Sequence, residues 1–381
     1  MKRRILFITG TRADYGKIKT LIKGVERLPD AEPYIFVSGM HLLEKYGSTY
    51  REVEKDGYQH VHYAFELANS SSMSYNLGDV ICALTQHVAE VKPDMIVVHG
   101  DRIDAMAGAI VGALNNIRVA HIEGGELSGT IDESIRHAIS KLAHVHLVCN
   151  EEAKRRLMQL GENEERIFVI GSPDIDVMLS DALPDLAVCK SRYEIPFDRY
   201  GILMYHPVTT EVDCLPRRIK AVVDAVIESG RNFIVIYPNN DLGSEIILKE
   251  YERFAGNSHF RVFPSMRFEC FLTFLKHAES IVGNSSAGIR ESGVYGVPAI
   301  DIGSRQAGRY SLAGSPNIRH VDGEARDEIL TAFDGLDACR QECRFFGSGD
   351  STGKFIDVIV SAQTWTFDIQ KKFVDVGWSN E

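Results

Sequence analysis

The sequence predicts an α/β protein built from two doubly wound domains, and three observations lead there. Short apolar runs recur, each ending in glycine, proline or a small polar residue: ILFITG (5–10), PYIFVSG (33–39), MIVVHG (95–100), VAHIEGG (119–125), HLVCN (146–150) and IFVIG (167–171). Longer segments with helical spacing separate most of them, such as Ile18, Leu21, Ile22, Val25 and Leu28. The pattern then restarts with YGILMYHP (200–207), NFIVIYPN (232–239), FRVFPS (260–265), SIVGNSS (280–286) and PAIDIGS (298–304). Continuous apolar strands alternating with helices describe a parallel sheet covered on both faces.

Between the two series, residues 172–198 hold three prolines and no clean period, which reads as the connection between domains. The expected division is therefore an N-terminal domain over 1–175, completed by a C-terminal helix over 365–381, and a C-terminal domain over 176–364. With 381 residues the chain is long enough for both cores. In doubly wound sheets ligands sit beyond the carboxyl ends of the strands. Two such domains would turn their loops toward one central cleft, so residues just after each strand are the ones to read.

Bulk composition narrows the function. Hydrophobic residues make up 44% and charged residues 25%, as in globular proteins. A net charge of −11 argues against a nucleic-acid or anionic-membrane surface. The opening MKRRILFITG has a basic start, but its apolar run, Ile5 to Ile8, is too short for a signal peptide. No stretch is long enough to span a bilayer, so a cytoplasmic location is expected. Seven scattered cysteines, only Cys339 and Cys343 close together, read as structural thiols.

After the first strand comes GTRADYGK (10–17), which is not GxGxxG and so does not point to a dinucleotide. Arg12 in that loop can reach a phosphate and hold it bidentately. HGDRIDA (99–105) and HIEGGE (121–126) end two further strands, placing Asp101 and Glu123 toward the cleft. Thr130-Ile131-Asp132-Glu133 reads as a capping box opening a helix whose apolar face is Ile131, Ile135, Ala138, Ile139 and Leu142. Glu133 is thereby explained as a cap, whereas Asp132 can gain from the helix dipole and also face the cleft.

Three carboxyl groups at one site cannot all stay ionised without help. Crowding raises at least one pKa and yields an acid beside a base, suited to proton abstraction from carbon and protonation of a leaving oxygen. Carboxylates alone could instead hold Mg²⁺. Because arginines already neutralise a phosphate here, no metal is expected, and no other cofactor.

In the second half, Ser285-Ser286-Ala287-Gly288 after the strand SIV should open a helix and favour an anion. Serine capping alone is the competing explanation. Arg305, in GSRQAGR, again follows a strand and suits a pyrophosphate. His206 in YHPVTT could donate to a phosphate or act as an acid. Asn239 in YPNNDLG and Glu291 in RES could hold polar groups of a sugar or ribose.

Taken together, GTRADYGK, VSGMHLLEKYGSTY, HGDRIDA, HIEGGELSGTIDESIRHAISK, GSPDIDVM, HPVTTE, YPNND, GNSSAGIRE and GSRQAGR resemble the hydrolysing UDP-N-acetylglucosamine 2-epimerases. These are the enzymes of bacterial sialic-acid and capsule pathways and the epimerase half of the animal bifunctional enzyme. The resemblance spans nearly the whole chain and weakens beyond about residue 322. It implies two Rossmann-like domains of the GT-B type with the active site between them. It also implies conversion of UDP-GlcNAc to N-acetylmannosamine (ManNAc) and UDP, the committed step toward sialic acid. By that resemblance Arg12, Arg102, His206, Asn239, Ser285, Ser286, Glu291 and Arg305 contact UDP, while Asp101, Glu123 and Asp132 carry the chemistry. Gly16 departs from the pattern, since the animal enzyme has a serine there that touches nucleotide. A homodimer or homotetramer is likewise implied, with no nucleic acid and no membrane as partner.

That activity accounts for the acidic cluster. Inverting C2 requires removing a barely acidic hydrogen, and eliminating UDP couples that removal to departure of a good leaving group. Water then adds to the resulting 2-acetamidoglucal with the opposite configuration, so each half-reaction needs a proton acceptor and a donor. The alternatives are a non-hydrolysing epimerase that returns UDP to C1, a GDP-GlcNAc epimerase of legionaminic acid synthesis, a glycosyltransferase of the same fold and a nucleotide-sugar sensor.

Overall fold

The structure, a computed structural model, describes residues 2–65, 72–312, 314–323 and 325–375. It divides into two compact units. Unit 1 comprises 1–126, 132–179 and 346–381; unit 2 comprises 127–131 and 180–345.

Unit 1 holds strands β1 (Arg3–Thr9), β2 (Ala31–Val37), β3 (Val61–Tyr63), β4 (Met95–His99), β5 (Arg118–Ile122), β6 (Val145–Val148) and β7 (Ile167–Val169). They form one sheet of order β3-β2-β1-β4-β5-β6-β7, every pairing parallel. Unit 2 holds β8 (Gly201–Met204), β9 (Phe233–Ile236), β10 (Phe260–Phe263), β11 (Ile281–Gly283), β12 (Ala299–Ile302) and β13 (Ile318–Val321), in the order β10-β9-β8-β11-β12-β13 and again all parallel. Both sheets are doubly wound, as predicted. Their strand order reverses between β1 and β4 in one and between β8 and β11 in the other, and at such points the connections leave in opposite directions and open a crevice. β3 and β13 escape the sequence reading because each is a short edge strand with little apolar signal.

Burial follows the pattern expected of central parallel strands. Ile5, Leu6, Phe7 and Ile96 are fully covered, with separate apolar clusters on the two faces of the first sheet. The chain terminus completes one of those clusters, but not through a helix over 365–381. The helix is Ser351–Val360, followed by a single turn at Ala362–Thr366; residues 367–375 are not helical, and 376–381 lie outside the described residues. Phe355, Val358 and Ile359 pack with Ile18, Leu21 and Ile22, and Asp176 accepts from the backbone N–H groups of Ser351 (2.8 Å) and Thr352 (2.6 Å) at the helix start. Beyond it the backbone carbonyls are taken by side chains, Phe367 by Arg118 (3.1 Å) and Ile369 by His144 (3.0 Å). Residues 172–198 contain the helices Pro173–Met178 and Leu186–Tyr193, and the division between the units falls between them, at 179/180. The helix Pro173–Met178 starts on proline, which needs no N–H donor there.

Gly283 ends β11 with φ +131°, and a Cβ there would lie 1.9 Å from the Met204 carbonyl oxygen of neighbouring β8. Both features demand glycine. Gly283→Ala should therefore destabilise unit 2 by about 1–3 kcal/mol, the usual cost of overpacking. Urea unfolding would check this, and an unchanged midpoint would contradict it.

Candidate active site

The loops at the carboxyl ends of β1 and β4 flank the switch point of unit 1. After β1, Thr11 caps the helix Arg12–Glu26: its hydroxyl accepts from the Asp14 N–H (3.1 Å), and the Asp14 carboxylate accepts from the N–H groups of Gly10 (3.0 Å) and Thr11 (3.2 Å). Arg12 is the first helical residue, with Nη2 3.7 Å from Glu52 Oε1. Gly10 is required by a side chain rather than by a phosphate, because a Cβ there would lie 2.2 Å from Asp104 Oδ2. Asp104 accepts from Ser38 Oγ (2.5 Å), and burial raises the pKa of both Asp104 and Asp14 above the ordinary carboxylate value.

After β4, Gly100 turns the chain with φ +73°, and Asp101 and Arg102 lead into the helix Ile103–Leu114. After β5, Glu123 sits at φ +66°, a left-handed conformation that a glutamate adopts only when its surroundings enforce it. Those surroundings are polar. Ser172 Oγ donates to Glu123 Oε1 (2.9 Å), His99 Nε2 stands 3.2 Å from the same oxygen, and Lys17 Nζ lies 3.8 Å away. Lys17 is also 3.5 Å from Asp174 Oδ2.

Asp132 lies buried in the first turn of the helix Ile131–Leu142, where the dipole favours a carboxylate. This helix does not present the expected face. Ile131 is exposed, and the buried positions are Asp132, Ile135, Arg136, Ile139 and Ser140. A polar stripe at i, i+4 and i+8 thus runs beside the apolar one. Arg136 pairs with Asp101 and donates through Nη1 to the Glu126 carbonyl (3.0 Å). Burial alone would lower its pKa, but Asp101, Glu126, Asp132 and Glu123 outweigh that and raise it. Ser140 Oγ is 3.0 Å from His121 Nδ1, whose Nε2 is 2.8 Å from the Gly100 carbonyl. Burial holds His121 neutral, its pKa lowered to about 3. Unit 1 therefore brings Asp101, Glu123 and Asp132 to one buried cation that the sequence reading overlooked.

In unit 2 the hub is Asn284, also overlooked. Its side chain accepts from the His206 N–H (2.7 Å) and donates to the His206 carbonyl (2.8 Å), and its own carbonyl accepts from Arg305 Nη1 (3.3 Å) and Gln306 Nε2 (2.8 Å). The loops after β8, β11 and β12 are thus tied through one buried asparagine. His206 Nδ1 accepts from the Asn239 N–H (3.0 Å), which places the imidazole proton on Nε2. Asn239 Nδ2 in turn donates to Asp241 (2.5 Å).

Ser285 and Ser286 follow β11, but no long helix starts there. Ser285 caps a single 3₁₀ turn, Ser286–Gly288, and buried Glu291 begins a four-residue helix, Glu291–Val294. Gly288 and Gly293 break the run, so a sustained helix dipole is absent from this loop and the serine donors remain. The Arg305 carbonyl accepts from the N–H of Gly129 (3.0 Å), a residue with no room for a Cβ, which would meet Ser304 O at 1.9 Å. Among the described residues no group of three or more His, Cys, Asp or Glu is arranged to hold a metal ion.

Comparison with known proteins places these residues in context. Residues 23–360 match the family model described as UDP-N-acetylglucosamine 2-epimerase. A protein of that name from Neisseria meningitidis serogroup B is 47% identical, the match covering 98% of this chain and 99% of the relative. A Legionella pneumophila protein named UDP-N,N'-diacetylbacillosamine 2-epimerase (hydrolyzing) is 35% identical over 87% of this chain and 88% of its own length. Among solved structures, a UDP-GlcNAc 2-epimerase from Neisseria meningitidis bound to UDP-GlcNAc shares the fold with TM-score 0.78 at 15% identity, covering 94% of this chain and 99% of that one.

Two predictions arise from this geometry. Asn284→Ala removes both side-chain hydrogen bonds to His206 but keeps the backbone carbonyl that Arg305 and Gln306 use, so it should destabilise unit 2 by about 1–3 kcal/mol, two lost hydrogen bonds' worth; urea unfolding with an unchanged midpoint would refute that. The second concerns pH. The unfolded chain protonates His121 near its ordinary pKa of 6.5 while the folded chain resists until about 3, so the unfolded state binds more protons in that window and stability falls as pH falls. Asp14 and Asp104, raised by burial, act in the opposite sense over part of it. The comparison with His121→Asn isolates the histidine, whose removal should flatten the pH dependence of unfolding by about 1.4 kcal/mol per pH unit between pH 4 and 6.

Proposed function

The chain belongs to the UDP-N-acetylglucosamine 2-epimerase family, and on that premise we propose that it is the hydrolysing enzyme, converting UDP-GlcNAc and water to ManNAc and UDP. The observation that carries the reading is the gathering of Asp101, Glu123 and Asp132 about Arg136, a set suited to moving protons on and off carbon. UDP is eliminated to leave 2-acetamidoglucal, and water adds with inversion at C2. One carboxylate accepts the C2 hydrogen as the C1–O bond breaks. In the second half a carboxylate accepts a proton from water attacking C1, and a protonated partner delivers one to C2.

The nucleotide falls to the remaining residues. Ser285, Ser286, Arg305 and the Nε2 proton of His206 are donors suited to the diphosphate, whose leaving oxygen gains negative charge in the transition state. Arg12 and Arg102 are assigned to the same group. Asn239 and Glu291 are assigned to polar groups of the sugar or ribose. Release of free ManNAc would place the reaction at the entry to sialic acid synthesis.

A second reading is favoured by the Legionella relative, whose name carries the same hydrolysing step on UDP-N,N'-diacetylbacillosamine. Side-by-side turnover of the two nucleotide sugars separates them, and faster hydrolysis of the bacillosamine substrate would reassign the sugar while keeping the chemistry.

NMR of the purified protein with UDP-GlcNAc in D₂O should show UDP and ManNAc deuterated at C2. Formation of UDP-ManNAc instead would place the protein with non-hydrolysing epimerases. Asp101→Asn, Glu123→Gln and Asp132→Asn should each reduce kcat by about 10²-fold or more with UDP affinity retained, and full activity in all three would sink the assignment. Arg12→Ala should weaken UDP binding by about tenfold, a charge-assisted contact.

A further inference from the structure

Three strand-end loops of unit 1 close on one side chain that the proposed chemistry does not use. Asp104 lies in the first turn of the helix Ile103–Leu114 after β4 and is 5% exposed. Its Oδ1 accepts from Ser38 Oγ, just after β2 (2.5 Å). Two glycines press against the same carboxyl group. A Cβ on Gly10, after β1, would stand 2.2 Å from Oδ2 and 2.4 Å from Cγ, and one on Gly39, after β2, would stand 2.9 Å from Oδ1. The backbone joins those two loops to each other, because the Thr9 carbonyl accepts from the Ser38 N–H (3.0 Å) and the Gly10 carbonyl from the His41 N–H (3.1 Å). Asp104 adds the third loop. An acid in the first turn also suits the helix dipole, but an exposed acid would serve that purpose, and no glycine would be needed to admit it. The charged groups facing Asp104 are Arg102 on its own loop and Asp14 on the helix after β1. Burial and Asp14 both oppose its ionisation, so the carboxyl group brings shape and a hydrogen bond rather than charge.

We propose that Asp104 is a positioning residue, a wedge whose fit against Gly10 and Gly39 sets Arg12 relative to Asp101 and Arg102. Arg12 stands two residues past Gly10, and Asp101 and Arg102 stand three and two residues before Asp104. A shift of the wedge therefore reaches all three through a few residues of chain. This role rests on the epimerase reading above, in which Arg12 and Arg102 hold UDP and Asp101 moves a proton, and it names the side chain that keeps those groups in register. A misplacement of about 1 Å can cost about 10²-fold in rate, so a residue that touches no substrate can matter as much as one that does.

The test separates shape from charge. Asp104→Asn keeps the outline and the acceptor for Ser38, and its kcat/KM for UDP-GlcNAc should stay within about threefold of wild type. Asp104→Glu keeps the acid but adds a methylene to a space already tight. It should lower kcat about 10²-fold and raise the Kd for UDP, read by calorimetry, about tenfold. A fold that was only weakened would leave the Kd of the folded molecules where it was. Asp104→Ala, which loosens the loops without displacing them, should cost about tenfold in kcat/KM. Gly10→Ala should lose about 10²-fold, and adding Asp104→Ala to it should recover about tenfold, because the three atoms that the new Cβ meets are then gone. Asp104→Asn losing as much as Asp104→Glu, an unchanged Kd for UDP in Asp104→Glu, or a double variant no better than Gly10→Ala would overturn the proposal. Should Asp104→Glu or Gly10→Ala not fold, Asp104→Ala decides, and a kcat/KM equal to wild type there would overturn it. A wild type that leaves UDP-GlcNAc intact would refute the epimerase reading alone. The Kd for UDP in the same variants would then decide, and values equal to wild type in Asp104→Glu and Asp104→Ala would overturn the positioning role.

Discussion

A buried guanidinium among carboxylates is the interaction that holds the strand-end loops of unit 1 together. Asp101, Glu123 and Asp132 arrive from two strand ends and a helix start, and Glu126 adds a fourth negative charge. Like charges brought that close would protonate or push their loops apart. Arg136 offsets part of that repulsion. A lysine could supply the charge but would act as a point, whereas the planar fork bonds the Asp101 carboxylate and the Glu126 carbonyl together and so fixes one loop against the other. Such an arrangement stabilises the fold little, because desolvation of the ions consumes most of the attraction. What it secures is a defined geometry for groups that would otherwise avoid one another.

Unit 2 solves a different problem with fewer charges. Donors carried on separate loops move relative to one another unless those loops are joined. Asn284 does the joining, with both ends of its amide on His206 and its carbonyl shared by Arg305 and Gln306. The Asn239 N–H then fixes the imidazole tautomer from the opposite side. His206 is thus a directed donor through Nε2, with its tautomer set by a backbone N–H.

Much of this was legible in the sequence because parallel strands announce themselves. A continuous apolar run ended by glycine or a polar residue marks both the strand and its carboxyl end, so Arg12, Asp101, Glu123, His206 and Ser285 could be found by looking just past each run. Less legible was whatever acts from within an element. Arg136 and Lys17 sit on helices whose periodicity reads as core against solvent, and a buried cation at i+4 from a carboxylate looks like an exposed ion pair until the third dimension is known. Asn284 resembles any loop asparagine. The serine loop misled in the other direction: Ser-Ser before Ala-Gly has the composition of a helix start, but Gly288 and Gly293 fall where the helix would have to propagate, and a 3₁₀ turn results. At the chain's end, side chains of Arg118 and His144 claim carbonyls that a helix would have needed.

Glu123 shows why the acidic site and the strand end cannot be separated. A glycine at that position would take φ +66° without strain, and two glycines follow at once, so the chain had the means to turn there cheaply. A non-glycine residue in such a conformation costs about 1 kcal/mol or more and persists only where its neighbours over-determine it. Ser172, His99 and Lys17 do so, converging from three different elements on one carboxylate oxygen. The strain therefore falls on the residue whose side chain those elements hold, one strand away from a cation buried at its own expense. Two unfavourable terms, a strained backbone just after β5 and a buried cation on the helix that follows, are each offset by polar contacts rather than by apolar packing, which binds the acidic residues to the strand end that carries them.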